Sequence, residues 1–500
     1  MKRSNKFYKI LVAVLLALAF LVFVMTLGAL LLGCGKTADN FKTFSQEEAF
    51  NIRQVITADS ATSRTVMWQS ETEEKNAFVE YRLVKAEDVK AGGAKADGTK
   101  AEGAKADRTN ASEVKADGAA TKTIINTQKE RLNEKFTDNG KTSFIHTVTL
   151  QNLQPGTEYE YRLGCGDKRS EWSRLTTAKQ NVTTVQNVMA VNGNITTEQG
   201  NNATSKENAT KAQENKFKAL IFPDSQSANY KSWEDVAMPA WQRNQDSQFF
   251  ISMGDLVDNG EHAYQWNEWF TRIRPMIIRI PVAPVLGNHE TYTSDWKVRR
   301  PLAYLHYFQL PKGAPEKFRN QFYSFDYGDV HFVVLNNLMR EMEQFQPNML
   351  QEQLAWFRAD MEKTKKKWKI VLMHKDVLQY GFLTRKTPRT EGISEEGKLL
   401  MPLFDQYGVD VVLTAHLHTY RNRGRIYSFE RSNKGPLYIL TGVAGDVRYP
   451  NLWKRHSLDV ALAPQPETNN YLVLEADSDK LKISCYLPDG TKVDEAVAEK

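Results

Sequence analysis

Cysteine is scarce in this chain, since only 3 of its 500 residues are Cys. One of them, Cys34, ends an apolar N-terminal stretch, which leaves Cys165 and Cys485 for the rest of the chain. In an oxidising compartment these two could form one disulfide, and two separate buried thiols are an alternative of at least equal weight. The candidate metal ligands described below therefore include no thiolate, which disfavours copper(I) and iron–sulfur chemistry.

The chain also lacks a strong charge of one sign. It has 66 Lys and Arg against 60 Asp and Glu, a formal net charge of +6, and its basic residues are dispersed rather than clustered with aromatics. Nucleic-acid binding needs clustered cations that displace counterions from the phosphate backbone. We therefore expect no nucleic acid as the main partner.

The N-terminus has the pattern of an export signal. Four basic residues within the first nine precede an uncharged apolar stretch over 10–33, which gives way abruptly to polar sequence. The stretch is also long enough to cross a bilayer as a helix, which takes about 20 residues. Leu-Leu-Gly-Cys, ending at Cys34, resembles the lipobox of bacterial lipoproteins, in which the Cys is lipidated. We expect residues 1–34 to be a lipoprotein signal or, alternatively, an uncleaved membrane anchor, with the remaining chain outside the cytoplasm.

A length of 500 residues exceeds the roughly 250 to 300 that one core supports, so we expect more than one domain. Residues 47–177 show short alternating apolar runs separated by turn residues, the pattern of an all-β module. Within it, residues 145–165 contain a strand, a Pro-Gly turn and a Tyr-x-Tyr strand. This stretch resembles the end of a fibronectin type III domain, and we expect a β-sandwich with Trp68 in its core.

Two segments are of low complexity. Residues 85–122 repeat every five residues around Lys-Ala, a period of neither helix nor strand, and contain few large apolar side chains. Such a segment cannot offset its ordering entropy by burial, so we expect a disordered insertion. Residues 178–216 are rich in Asn, Thr and Gln, and we expect a linker there.

From residue 217 to residue 500 apolar strands alternate with amphipathic segments. This alternation predicts an α/β domain whose ligands bind at the carboxyl ends of its strands. The predicted strands cover 218–222, 249–252, 282–286, 330–335, 369–373, 409–413 and 437–440, and the predicted helices cover 233–244, 264–274, 348–363 and 395–407.

Six polar residues lie just after predicted strands and form the candidate metal site. A carboxylate has two oxygens and can bridge two cations roughly 3.5 to 4 Å apart, a spacing that suits in-line displacement at phosphorus. Oxygen and nitrogen ligands are compatible with Fe, Mn or Zn. A lone His is more often a core residue, which we accept for His331, but the joint placement favours a metal site. The six are Asp224, Asp255, Asn288, His374, His416 and His418.

The order and spacing of these elements resemble those of the calcineurin-like metallophosphoesterases. A fibronectin-like module before the catalytic domain is similar to the purple acid phosphatases and their bacterial relatives. The resemblance implies an α/β (α+β) metallophosphoesterase sandwich, in which two mixed β-sheets are flanked by helices, preceded by the all-β sandwich. It also implies two divalent or trivalent metal ions and a metal-bridging hydroxide that attacks phosphorus.

Carried over residue by residue, the resemblance assigns the metal ligands. It makes Asp255 the bridging ligand and places His289 beside the metals, where it stabilises phosphoryl oxygens or protonates the leaving alkoxide. One metal is then bound by Asp224 and His418, and the other by Asn288, His374 and His416.

Several positions depart from the family pattern. Gln226 stands where the first motif usually has a His, and Asp258 stands where the purple enzymes have a tyrosine that binds ferric iron; both are further candidate site residues. Arg421 is expected to be a solvated surface residue, with contact to a substrate phosphate as the alternative. Glu290 is left open between substrate pocket and scaffold.

These observations predict an exported, membrane-anchored phosphomonoesterase that acts on a phosphorylated small molecule. A phosphodiesterase or nucleotide hydrolase with the same site is the first alternative. A surface binding protein with a non-catalytic scaffold is the second, and the full ligand set argues against it.

Because Asp258 replaces the iron-binding tyrosine, we expect no tyrosinate-to-iron absorption band. The visible spectrum of the protein loaded with ferric iron tests this expectation, and the purple colour of a charge-transfer band would contradict it.

Overall fold

A computed structural model describes most of the chain after the N-terminal segment. The chain divides into the units Met1–Thr43 and Phe44–Lys500, and the second contains every element described below except the two-residue strand Lys42–Thr43. The predicted signal or anchor over 1–34 lies outside the described residues. No helix among those described is long and apolar enough to cross a membrane. The described residues are 42–44, 48–73, 76–84, 111–116, 119–125, 128–132, 140–179, 216–381, 388–448, 455–464 and 468–500.

The N-terminal module is all β, as predicted. Trp68 is buried between its sheets with Val66 and Leu163, and the Tyr159 hydroxyl accepts a 2.8 Å hydrogen bond from the Gln154 amide at the sandwich corner. The strands, with the short β1 of the first unit, are β1 (Lys42–Thr43), β2 (Phe50–Val55), β3 (Arg64–Ser70), β4 (Ala77–Leu83), β5 (Ala111–Ala116), β6 (Ala119–Ile125), β7 (Gln128–Leu132), β8 (Ser143–Leu150), β9 (Glu158–Cys165), β10 (Lys168–Arg169) and β11 (Ser173–Thr176).

The expectation of a disordered insertion over 85–122 is wrong for its last part. Strands β5 and β6 form an antiparallel hairpin there, and β6 continues the sheet by pairing with β4. Backbone hydrogen bonds to β4 stabilise this hairpin, and β6 runs beyond the repeat to Ile124 and Ile125, which pair with Val79 and Phe78. Residues 85–110 lie outside the described residues.

The catalytic region alternates strands and helices, and the predicted elements are present with bounds shifted by a few residues at most. It has strands β12 (Phe217–Phe222), β13 (Phe249–Ser252), β14 (Val282–Pro284), β15 (Tyr323–Tyr327), β16 (Val330–Leu335), β17 (Trp368–Met373), β18 (Leu378–Gln379), β19 (Gly392–Ile393), β20 (Val411–Thr414), β21 (Tyr420–Tyr427), β22 (Glu430–Arg431), β23 (Leu437–Thr441), β24 (Ala461–Leu462), β25 (Tyr471–Ala476), β26 (Lys480–Tyr486) and β27 (Lys492–Glu499). Its helices are α1 (Lys231–Arg243), α2 (Ala263–Arg272), α3 (Arg274–Ile277), α4 (Leu302–Tyr307), α5 (Met339–Met342), α6 (Met349–Lys363) and α7 (Glu395–Gln406), with 3₁₀ turns at His289–Thr291 and Glu316–Phe318.

Two mixed sheets form the catalytic region. Strands β12, β13 and β14 are parallel in one sheet, and β16, β17, β20 and β23 are parallel in the other. The apolar side chains of both sheets meet in one core, where Phe217, Phe249 and Phe332 contact one another. Strands buried on both faces account for the continuous apolar runs that made them predictable from sequence.

Helix α7 shows how local sequence sets an element boundary. The Ser394 side chain accepts a 3.0 Å hydrogen bond from the Gly397 amide, and Glu395 and Glu396 occupy the first turn. Both features favour a helix start, because they satisfy free amides and complement the helix dipole.

The two modules share a sheet. Val55 at the end of β2 pairs in parallel with Val282 of β14, so one sheet runs in the order β27-β26-β25-β12-β13-β14-β2-β3-β8-β7. Side chains reinforce this joint: Arg53 Nε donates to the Tyr307 carbonyl at 2.7 Å, and Gln54 Nε2 donates to the Ile278 carbonyl at 2.7 Å. The N-terminal module is therefore continuous with the strand that leads to Asn288. Cys165 and Cys485, in separate parts of this unit, are not joined in a disulfide.

His331 lies between two carboxylates, so its contribution to stability should depend on pH. Burial lowers the pKa of His331, but hydrogen bonds to Asp326 at 2.7 Å and Asp360 at 2.9 Å outweigh burial and raise the pKa to about 9. The folded-state pKa exceeds the unfolded value of about 6.5, so this stability is present below that value and is lost as the pH rises through about 9. We expect His331→Gln to reduce the unfolding free energy by roughly 1–3 kcal/mol at pH of about 6 and by much less at pH of about 10. Urea denaturation at both pH values measures the difference, and an equal loss at both would contradict the ion-pair assignment.

Candidate metal centre

The structure brings the six predicted ligands to one place. Asp224 follows β12, Asp255 follows β13 and Asn288 follows β14, while His374 follows β17 and the two remaining histidines follow β20. Their ligand atoms form two groups, and within each group the atoms lie within 4.8 Å of one another. Asp255 belongs to both groups, as a bridging ligand would. The groups are Asp255 with His374 and His416, and Asp224 with Asp255 and His418.

In the first group, His374 faces two oxygens. Its Nε2 atom lies 3.0 Å from Asp255 Oδ2 and 3.1 Å from Asn288 Oδ1, and its ring centroid lies 5.2 Å from that of His416. The other ring nitrogen, Nδ1, lies 2.9 Å from the Met253 carbonyl oxygen. Because a carbonyl only accepts, Nδ1 carries a proton, and Nε2 is the nitrogen directed into the site, where its lone pair would bind a cation once the ring is neutral.

The second group repeats this arrangement. His418 Nε2 lies 3.1 Å from Asp224 Oδ2, and His418 Nδ1 donates to the Val447 carbonyl at 2.7 Å. Asp224 Oδ1 accepts a 3.0 Å hydrogen bond from the His416 amide, which leaves Oδ2 directed into the site. Histidines that bind metals commonly donate a hydrogen bond from their other ring nitrogen to a backbone carbonyl, which fixes the orientation of the ring.

Several buried acceptors in the site lack donors. Among the described residues, Asp224 Oδ2, Asp255 Oδ2 and His416 Nδ1 are buried and make no hydrogen bond. Buried polar atoms are normally paired, and several acceptors that face one another need a positive charge between them. The residues present therefore fit a pair of cations. Their assignment as individual ligands stays a prediction.

The loops that carry the ligands have unusual backbone conformations. The φ angles of Asp255, His416 and His418 are 48°, 76° and 51°, in the left-handed region that side chains other than Gly rarely adopt. A Cβ atom on Gly287 would lie 2.1 Å from the Asp255 amide nitrogen, so this close approach requires glycine. Such strain is found where a surrounding structure holds functional groups in place.

Glu290 is part of the scaffold. Its Oε2 accepts hydrogen bonds from the amides of Asp255 at 3.0 Å and Gly287 at 2.8 Å, and its Oε1 accepts from the Leu256 amide at 2.7 Å. Burial, and then the charge of Asp255, raise the pKa of Glu290 to about 7. The Glu290 carboxylate thus joins the loops after β13 and β14. The sequence alone left its role open between substrate pocket and scaffold.

His289 lies at the edge of the centre, between the two further candidates. Its Nδ1 donates to the Asp258 carbonyl at 2.7 Å, and its Nε2 lies 3.3 Å from Gln226 Nε2, the nitrogen of an amide that can also turn its oxygen toward the ring. Gln226 and Asp258 therefore contact His289 and hold its ring. Burial lowers the pKa of His289, but the charge of Asp255 and the bonds to Asp258 outweigh burial and raise it to about 10.

Arg421 is not a solvated surface residue. It is fully buried, forms an ion pair with Asp459 and lies over the Tyr380 ring at 4.4 Å. The expectation failed because the partner carboxylate lies 38 residues further along the chain. A buried arginine is stable only when it is paired in this way.

Comparison with known proteins agrees with this geometry. Residues 217–420 match the calcineurin-like phosphoesterase family, and residues 49–179 match the purple acid phosphatase N-terminal domain. Acid phosphatase type 7 of Mus musculus is 26% identical over 357 residues, which cover 64% of this chain and 70% of the relative. Purple acid phosphatase 23 of Arabidopsis thaliana is 26% identical over 318 residues, covering 62% of this chain and 64% of the relative.

A solved structure has the same fold. The purple acid phosphatase from yellow lupin (Lupinus luteus) seeds superposes with a TM-score of 0.64 at 17% identity, over 91% of this chain and 74% of that one. Residues 217–420 therefore form a calcineurin-like metallophosphoesterase domain, and proteins with this domain are hydrolases of phosphoric esters that use a dinuclear Fe, Mn or Zn centre. Within that class the chain combines the metallophosphoesterase domain with a purple acid phosphatase N-terminal domain, and its relatives are purple acid phosphatases. The predicted fold class and family are confirmed.

Removal of the Glu290 carboxylate should loosen both ligand loops. Glu290→Ala leaves four buried amides without this acceptor, so we expect a loss of roughly 2–4 kcal/mol in the unfolding free energy, measured by urea denaturation. Glu290→Gln keeps one oxygen and should lose less. The control Glu352→Ala, which removes a surface ion pair with Lys317, should change stability by less than about 0.5 kcal/mol. Equal effects of the two alanine variants would contradict the scaffold role.

Proposed function

We propose that this chain is an exported, membrane-anchored, metal-dependent phosphomonoesterase. The observation that carries the proposal is the pair of ligand groups that share the buried carboxylate of Asp255. Two cations that share one carboxylate would suit in-line displacement at phosphorus, because they can stabilise both the attacking and the leaving oxygen.

Export and anchoring rest on the N-terminal sequence. Four basic residues, an apolar stretch and Cys34 in a lipobox-like context support a lipoprotein signal, and the length of the apolar stretch supports an anchor helix as the alternative. Either form places the metal centre outside the cytoplasm and next to the membrane.

A phosphomonoester is supported by the relatives, whose names describe acid phosphatases. The ligand set also suits a dianionic substrate. It contains two carboxylates and four neutral donors, so two bound cations would keep a net positive charge that attracts the phosphate group. Asp224 and His418 would hold one cation, Asn288, His374 and His416 the other, and Asp255 both. When bound, the cations supply charge neutralisation at the phosphoryl group and an acidified water.

His289 supplies the proton that the leaving group needs. The hydrogen bond from Nδ1 to the Asp258 carbonyl fixes the ring, so that Nε2 is the atom that can give its proton to the leaving oxygen. Gln226 contacts the same nitrogen and restricts the orientation of the ring. The backbone carbonyl of Asp258 and the side chain of Gln226 thus act through His289.

Asp255→Asn tests the proposal. Loss of the shared carboxylate should lower bound metal and reduce hydrolysis of a chromogenic phosphomonoester to background, because an amide bridges two cations poorly. Metal content and turnover are measured on the fragment that lacks residues 1–34, with Asp246→Asn as a control, since Asp246 forms an exposed pair with Lys218. Wild-type turnover of a diester without turnover of the monoester would overturn the phosphomonoesterase assignment.

A further inference from the structure

The metal centre has an exposed aromatic group at its edge. The Trp296 side chain is 57% exposed, more than any other large hydrophobic residue in the described part of the chain. Its ring centroid lies 6.1 Å from that of His289, at 88°, and 5.7 Å from that of Tyr292. Single exposed hydrophobic residues are common, but this one contacts a second aromatic ring and a residue of the site.

Trp296 occupies a backbone position that favours a different residue. Residues 294–296 form a short loop closed by hydrogen bonds from the Thr293 amide to the Lys297 carbonyl at 2.8 Å and from the Trp296 amide to the Thr293 carbonyl at 2.9 Å. The third residue of such a loop is left-handed, which Gly or Asn adopts most readily, and Trp296 has a φ of 62°. Trp296 therefore occupies a turn position that disfavours a bulky side chain.

The loop is attached to the metal-binding loops. Ser294 donates its amide to Glu261 at 3.0 Å, and Arg299 pairs with Glu261 at 2.6 Å, so both ends of the turn are tied to the segment that follows Asp255. Tyr292 is linked to the centre as well, because Asn288 Nδ2 donates to its hydroxyl at 3.3 Å. These contacts hold the aromatic pair in place before any substrate arrives, which lowers the entropic cost of binding.

We propose that Tyr292 and Trp296 form a stacking platform for the leaving group, so that the preferred substrates are phosphomonoesters whose alcohol carries a planar base, as in nucleoside monophosphates. The inference rests on the proposed phosphomonoesterase function and adds a substrate class to it. An exposed indole face stacks any planar base, and its place beside His289 puts it on the side of the leaving oxygen.

Adenosine 5′-monophosphate and ribose 5-phosphate test the platform, because both are esters of the primary hydroxyl of ribose and only the first carries a base. With the metal-loaded full chain, we expect a higher kcat/KM for adenosine monophosphate. In Trp296→Gly the ratio of the two kcat/KM values should fall by about 5- to 100-fold, mainly through KM, and Trp296→Phe should retain part of it. Glycine suits this turn position, so the variant should fold.

Phe429→Gly is the matched control. Phe429 is also exposed, at 37%, and has a φ of 68°, but it lies in the turn between β21 and β22. Its loss should leave the ratio as in the wild type. A wild-type ratio near one, or an equal fall for both esters in Trp296→Gly, would overturn the platform. Failure of the metal-loaded wild type to hydrolyse either ester would instead overturn the proposed function.

Discussion

Two buried carboxylates set the main constraint on this structure. Asp224 and Asp255 are almost completely inaccessible to solvent, and burial of two negative charges is unfavourable unless positive charge or hydrogen bonds compensate for it. Imidazoles surround both groups, and backbone amides donate to one oxygen of each. His374 and His418 in turn donate to backbone carbonyls, and the loops that satisfy these contacts contain residues with left-handed backbone conformations. Although burial opposes ionisation, His374 and His289 keep the pKa of Asp255 well below its usual range.

The convergence of the six candidate ligands could be predicted because it depends on few physical rules. Continuous apolar runs marked the buried strands, and the carboxyl ends of parallel strands lie at a common edge, so polar residues after those strands had to meet. Asp255 after β13 and His374 after β17 illustrate this, since their ligand atoms lie 3.0 Å apart although the residues are far apart in sequence. The fibronectin-like resemblance likewise anticipated the buried Trp68 and the hydrogen bond of Tyr159.

Other features depend on contacts between distant segments and had no local signal. The pairing of Val55 with Val282, which merges the two modules, involves edges of two predicted sheets. The burial of Arg421 depends on Asp459, and the hairpin β5–β6 depends on an available neighbour in β4. The scaffold role of Glu290 required the exact approach of two loops. The pattern of residue types along a segment predicts a helix or strand and its buried face. It does not predict which distant residues that helix or strand will contact.

The two ends of the Asn- and Thr-rich linker lie side by side. Lys179 and Lys216, the described residues on either side of this segment, border the same cavity, together with Gly156 and Gln248. When the anchor points of a segment are adjacent, its length is limited only by closure entropy, which rises by about 0.6 kcal/mol for each doubling. Insertions and deletions at this point are therefore nearly neutral for folding. The length of this segment can therefore change from one sequence to another without a change at the metal centre.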